Sequence, residues 1–286
     1  MCALTAPFGI EMLCLPFMQR AFIAGVAIGV VAPLIGSFLV HRQLSLIGET
    51  LAHTAFSGVA IGLFLSSALA IAVSPYLTAL VVAVIAALLI QVISEYTDAY
   101  GDVSMAIVLA GGFALGTVII TATGGIAVSI NQYLFGSLST VTRESTGILV
   151  VLSVVVCAVI ALTYRQLLFI TFDETAARVA SLNVRGYNRL LVVLTAVVVV
   201  AAMQLMGVIL VAAMLVVPVA AAAQVARSFK QSVWYSILAA EFAVIVGITL
   251  SYVYDLATGG VIVLVAIAVY AGAVVVGKLG ASRQHA

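Results

Sequence analysis

In IGETLAHTAF (residues 47–56) a carboxylate, Glu49, and an imidazole, His53, stand four positions apart. If the segment is helical, both side chains face the same way, about one turn apart. A carboxylate oxygen with an imidazole nitrogen is a ligand set for borderline to hard divalent cations such as zinc, manganese or iron. Two ligands make a weak site. Two copies of the chain meeting on a dyad would supply four, which suits an ion that must also leave. The spacing equally fits a solvated glutamate beside a packed or proton-relaying histidine.

Other chemistry-bearing residues are few. Glu241, in SILAAEFAVIVG, has no basic residue within its apolar run. It calls for a cation, a proton or a hydrogen bond from a neighbouring helix. Asp255, in YDLATGG, reads as a loop residue at the outer surface, with a role in admitting cations as the alternative. GAVVVGKL (272–279) has the Gly-x4-Gly-Lys spacing of a nucleotide loop, but Leu279 stands where Ser or Thr should hold magnesium. The stretch also ends an apolar run rather than joining a strand to a helix. His-Glu-x-x-His is absent, as is a Ser/His/Asp set at a plausible depth. No enzymatic activity is expected, and no permanently bound cofactor.

The elements that carry these residues follow from composition. Of 286 residues, 65% are hydrophobic and 7% charged, with mean hydropathy +1.34. Such a chain lacks the residues for a polar surface. Its apolar runs of about 18–25 residues suffice to cross roughly 30 Å of hydrocarbon as helix. The alternation of a membrane barrel is missing, so the expected fold is all-α, a polytopic helical bundle. In that setting a Glu49–His53 pair is expensive and should face a polar pathway or a partner. A net charge of +1 argues against a nucleic-acid surface. Cys2, Cys14 and Cys157 match no zinc or redox spacing. Residues 1–16, with Glu11 and no basic residue, do not read as a secretory signal. A single integral-membrane domain over 1–286 is expected, with no extramembrane segment long enough to fold alone.

Spans are predicted at 17–40, 50–72, 75–96, 104–122, 146–164, 190–206, 208–226, 232–254 and 259–277. MQLMG (203–207) is a poor loop: it reads either as a tight hairpin or as a break within a longer helix. Arg165, Arg178, Arg185 and Arg189 in a predicted loop at 165–189, Arg227 and Lys230 in another, Lys278 and Arg283 in the tail, and Arg42 all share one side if there are nine spans and an outside N-terminus. Eight spans would put one basic group outside. Residues 129–139 look amphipathic and should lie at the outer surface. Residues 171–189, TFDETAARVASLNVRGYNR, read as a short cytoplasmic helix with Asp173 as N-cap, a Glu174–Arg178 pair at i, i+4 and Gly186 as terminator. GVAIG at 25–29 and 58–62 and GFALG at 112–116 are Gly-xxx-Gly faces suited to close helix packing. Gly207 and Pro218 should open or kink the seventh span, and broken helices at membrane depth often line the moving part.

Taken together, these stretches resemble the transmembrane permease subunit of the zinc/manganese/iron uptake ABC transporters. The stretch FMQRAFIAGVAIGVVAPLIGSFLVHRQLSLIGETLAHTAFSGVAIG (17–62) is the most specific, because the family commonly shows an acid and a histidine four apart after a basic-Leu/Met-Ser-Leu run. NQYLFGSL (131–138), FDETAARVASLNVRGYN (172–188), MGVILVAAMLVVPVAAAAQVARS (206–228) and YDLATGGVIVLV (254–265) follow in the expected order. Two departures stand out. The family acid is usually aspartate and here is Glu49, and Ser181 stands where the cytoplasmic helix often has glycine.

The resemblance implies a homodimeric pore in the cell membrane for a divalent transition metal, with Glu49 and His53 as ligands. It also implies a cytoplasmic ABC ATPase and an extracytoplasmic metal-binding protein. The helix at 173–185 then couples to the ATPase, with Arg178, Leu182 and Arg185 as contacts and Asp173 and Glu174 at its head. A gradient-driven metal carrier working alone and a permease for a metal chelate are the alternative readings.

Overall fold

The computed structural model describes residues 15–68, 74–96, 101–122 and 142–282. Its elements are α1 (Pro16–His41), α2 (Ile47–Ala68), α3 (Pro75–Tyr96), α4 (Gly101–Ala122), α5 (Arg143–Phe172), α6 (Glu174–Val179), α7 (Val184–Ala223), α8 (Phe229–Tyr254) and α9 (Thr258–Ser282). Eight of these stretches are long and apolar enough to cross a membrane, and Leu210–Ala223 is a shorter apolar one. The predicted amphipathic segment at 129–139 and the motif at 131–138 lie outside the described residues.

Local signals set the helix starts. Pro16 opens α1, where its missing N–H is not needed. Thr142, Asp173, Asn183 and Ser228 accept from the backbone N–H three residues on and cap α5, α6, α7 and α8. The lipid faces are equally regular: Leu77, Val81, Ile85, Leu88 and Val92 form one exposed stripe along α3.

The long element α7 is the hub, and α1, α2, α3, α5, α8 and α9 all pack on it. As one straight helix it would run about 60 Å. Both of its ends nevertheless sit at one face of the bundle. Asn188 accepts a hydrogen bond from Arg42, and Phe229, just past the other end, lies 5.1 Å edge-on from His41, the neighbour of Arg42. The chain therefore doubles back, and it does so at buried Gly207 (φ 78°, ψ 163°). Only glycine adopts that conformation readily. MQLMG is thus a hairpin between two arms, and the return arm Leu210–Ala223, at about 21 Å, is shorter than the hydrocarbon. The turn lies within protein, between buried Met203 and Val208, the one environment where irregular backbone is tolerated at membrane depth.

With the return arm counted, Arg42, Arg178, Arg185, Arg189, Arg227, Lys230 and Lys278 share one face. Arg20 and Arg143, at the starts of α1 and α5, lie toward the other. The basic face is the inner one. Three sequence boundaries are corrected. α5 continues to Phe172 because RQLLFITF keeps its apolar spacing, so Arg165 is helical and not in a loop. Lys230 sits in the first turn of α8 rather than in the preceding loop. α4 begins at Gly101, a turn earlier than expected.

Gly207 and Gly111 make a contrasting pair. Gly207→Ala should lower stability by about 1–3 kcal/mol through the forced positive φ. Gly111→Ala, whose added Cβ meets nothing within 4 Å, should be neutral or stabilising by about 0.5–1 kcal/mol. Thermal unfolding of the purified protein in detergent compares them, and equal losses would contradict the hairpin assignment.

Candidate functional site

Glu49 and His53 lie on the first two turns of α2 and point away from the core of the single chain: Glu49 is exposed and His53 half-buried. The opposite face of the same turns is closed by Ile47, Leu51, Ala52 and Ala55, all buried. The backbone of α2 at Gly48 abuts Leu215 of the return arm, and Leu215 also abuts Gly36 of α1. A side chain at Gly36 would collide with the Leu215 carbonyl, so glycine there permits the three-way contact. Since Gly36 lies five residues before the end of α1, Glu49 sits about 8 Å inside that end. The pair lies toward the inner end of the bundle, not the outer one.

The neighbouring helix α4 runs parallel to α2, and hydroxyls seal the seam. Thr50 donates to the carbonyl of Met105, and Ser57 donates to that of Gly112. Phe113 stands edge-on to the His53 ring at 5.7 Å and 86°. Nδ1 of His53 is buried without a hydrogen-bond partner. Among the described residues no hydrogen bond holds that nitrogen, and Phe113 packs on the edge of the ring.

The structure does not bring Glu241 to this pair. Among the described residues no three His, Cys, Asp or Glu side chains gather where they could hold a metal. Glu241 lies on α8 facing Gly29 of α1, and its Oε1 is buried without a partner. Nearer the inner face, Ser37 and Ser236 hydrogen-bond across the same seam at 3.4 Å. Asp255 is exposed and caps α8 in the left-handed conformation, at the outer end as expected. Pro218 is buried in the return arm and removes one backbone donor there. Each Gly-xxx-Gly face carries a close contact, Gly58 on Ala79 and Gly116 on Ser57 among them, so these motifs serve packing.

At the inner face Asp173 caps α6 and Glu174 pairs with Arg178 at 2.5 Å, as the spacing implies. The helix is shorter than expected. It ends at Val179, and Ser181 (φ 60°) makes the left-handed turn that glycine would make more cheaply. Gly186 does not terminate it: its N–H donates to Asn183 at the start of α7. Leu182 is not turned outward, because the Ser181 turn folds it against Ile170, Ala177 and Val184. Arg178 and Arg185 remain exposed. Among the exposed large apolar residues Val179 stands out at 83%, and the pattern of charges did not single it out.

Arg42 ties this junction together. Its Nε donates to Thr171 Oγ1 at 2.9 Å, Nη1 to Asn188 Oδ1 at 2.7 Å and Nη2 to the Leu167 carbonyl at 3.2 Å. Burial pulls this guanidinium down to about 10, with the Glu174 charge opposing the shift, and it stays protonated at neutral pH.

The Gly29–Glu241 contact is testable as a coupled pair. A methyl at position 29 would lie 2.7 Å from Oε1. Gly29→Ala should therefore destabilise by about 1 kcal/mol, and Glu241→Ala in the same background should recover most of that loss. Additive losses in a double-mutant unfolding cycle would count against the contact.

Comparison with known proteins agrees with this architecture. The ABC 3 transport family matches residues 14–277. The manganese transport system membrane protein MntC of Halalkalibacterium halodurans is 32% identical over 91% of this chain and 87% of its own length. The high-affinity zinc uptake system membrane protein ZnuB of Haemophilus influenzae is 26% identical over 85% and 91%. Among solved structures, PsaBC from Streptococcus pneumoniae in complex with Fab superposes with a TM-score of 0.81 at 30% identity, covering 94% of both chains. A bundle of apolar spans, hinged on a buried glycine and matched to this family almost end to end, is a multi-pass membrane protein that belongs to the ABC 3 transport family.

Proposed function

We propose that the chain is the permease subunit of an ATP-driven importer of divalent transition-metal ions, manganese or zinc, with iron as a further candidate. It works as a homodimer. The observation that carries this reading is the placement of Glu49 and His53: one face of α2, membrane depth, turned away from the chain's own core, with an imidazole nitrogen left unpartnered. An acid so placed needs a polar pathway or a partner, and a second copy across a dyad supplies both. The cargo is held by few ligands and released inward. The names of the relatives, manganese and zinc transport proteins, support the choice of cargo.

ATP hydrolysis belongs to a separate cytoplasmic ATPase, and a metal-binding protein delivers the ion from outside. The coupling element is α6 within 171–189. Val179, Arg178 and Arg185 are its contacts with the ATPase. Ala177 packs on Ile170 of α5 and Val184 of α7, so a push on α6 moves both helices. Arg42 bonds those same helices from the α1–α2 turn, seven residues before Glu49. A displacement at Val179 thus reaches the ligand pair through continuous packing and hydrogen bonds, and it switches the bundle between two arrangements.

Two experiments test this reading. His53→Ala and Glu49→Gln should each reduce metal uptake at least about tenfold, since even outer-shell changes at metal sites do so, while the amount of protein in the membrane is unchanged. Full uptake by His53→Ala would remove the ligand role. Val179→Asp and Arg178→Glu should each weaken co-purification of the ATPase; undiminished association with normal ATP turnover would rule out α6 as the coupling element.

A further inference from the structure

Between α6 and α3 lies a cavity of about 530 Å³, lined by Arg42, Gln91, Ser94, Glu95, Arg178 and Asn188, among others. It sits at the basic, inner face. We propose that this cavity binds the phosphodiester headgroup of an anionic glycerophospholipid from the inner leaflet. The site does not include the Glu49–His53 pair.

Glu174 is taken up by Arg178 at 2.5 Å, and Glu95 lies between Arg185 at 3.9 Å and Arg189 at 3.6 Å. Arg42 is left with neutral acceptors only: a hydroxyl, an amide oxygen and a backbone carbonyl. Three arginines, Arg42, Arg178 and Arg185, and two glutamates line the cavity, Arg189 reaches Glu95 from beside it, and the half-buried Arg42 has no carboxylate in its hydrogen-bonding set. A guanidinium carries five N–H donors in a planar fork, and Arg42 spends three. The remaining pair suits the oxygens of a phosphate. A basic pocket between membrane helices at the cytoplasmic side is the setting in which lipid headgroups bind.

The walls select a lipid over other anions. Gln91, Ser94 and Glu95 lie near the inner end of α3, and next to them Leu88, Leu89 and Val92 are exposed on the same helix. A phosphate in the cavity is thus continuous with an apolar surface along which acyl chains can lie. A soluble anion would use the charge and leave that surface unmatched. An acidic side chain of an ATPase would approach from the side on which Val179 protrudes.

The test uses the permease purified from membranes with whatever subunits accompany it, followed by native mass spectrometry with defined lipids. Phosphatidylglycerol should be retained at a concentration at least about tenfold lower than phosphatidylcholine or phosphatidylethanolamine. Arg42→Gln should abolish that preference. Because this variant also removes three structural bonds and could fail to fold, Ser94→Asp is the second variant. It adds a negative charge to the wall without touching the bonds of Arg42, and it should weaken phosphatidylglycerol retention roughly tenfold. Equal retention of the three lipids, or no effect of Ser94→Asp, overturns the proposal. So does preferential retention of phosphatidylethanolamine, which would mean a zwitterion bridging Arg42 and Glu95. Displacement of phosphatidylglycerol by millimolar inorganic phosphate would reduce the cavity to a free-anion site. Loss of ATPase co-purification in Ser94→Asp with lipid retention intact would assign it to a protein acid.

Discussion

A half-buried guanidinium organises the inner half of this molecule. Arg42 stands in the turn between α1 and α2 and reaches α5 through Thr171 and Leu167 and α7 through Asn188. A charge drawn into the protein is tolerated only when its donors are satisfied, so two helices and the α1–α2 turn are bound to a common point. The α1–α2 turn is short, which means that the position of Arg42 also sets where α2 begins. Glu49 and His53 take their place from that start, and α6 hangs from the same helix ends. The fork is planar and rigid, so lysine could not make the same three bonds at once.

The other organising contact is apolar. Between helices in lipid there is little hydrophobic drive to associate, and close backbone approach replaces it. The return arm of α7 illustrates this. Its Leu215 carbonyl lies where a Cβ of residue 36 would be, and its Leu215 side chain lies where one of residue 48 would be. Two glycines on consecutive helices thus admit one leucine, and the hairpin at Gly207 delivers it. Against this dense background the unpartnered polar atoms stand out. Nδ1 of His53 and Oε1 of Glu241 are both buried and unbonded, a condition that costs about 1–3 kcal/mol for each group. One lies beside an exposed acid, the other against a glycine, so only the first has the makings of a cation site.

Legibility varied with the range of the interactions. Spans were readable because lipid demands apolar runs of a fixed length, and the cap at Asp173 was readable because it acts three residues away. The Glu174–Arg178 pair and the left-handed demand at Ser181 are local in the same sense. Leu182 misled because an apolar residue at the end of a short exposed helix looks outward until its turn is seen to fold it back. Charge patterning drew attention to Arg178 and Arg185, which are exposed, and passed over the likewise exposed Val179. The length of α5 was underestimated because Arg165 interrupts hydropathy without interrupting the helix.

Composition and spacing alone determined that this chain spans a membrane as helices, that its inner face is the arginine-rich one, and that Glu49 and His53 share a side of α2. Each follows from short-range rules: the length of hydrocarbon to be crossed, the bias of basic residues, and 3.6 residues per turn. Tertiary structure alone decided that the chain reverses at Gly207 within the protein, that Glu241 belongs to the α1–α8 seam and does not join Glu49 and His53, and that Arg42 binds α5 and α7. Those outcomes depend on which surfaces meet across more than a hundred residues of chain, and meeting surfaces are fixed by packing, which no local pattern encodes.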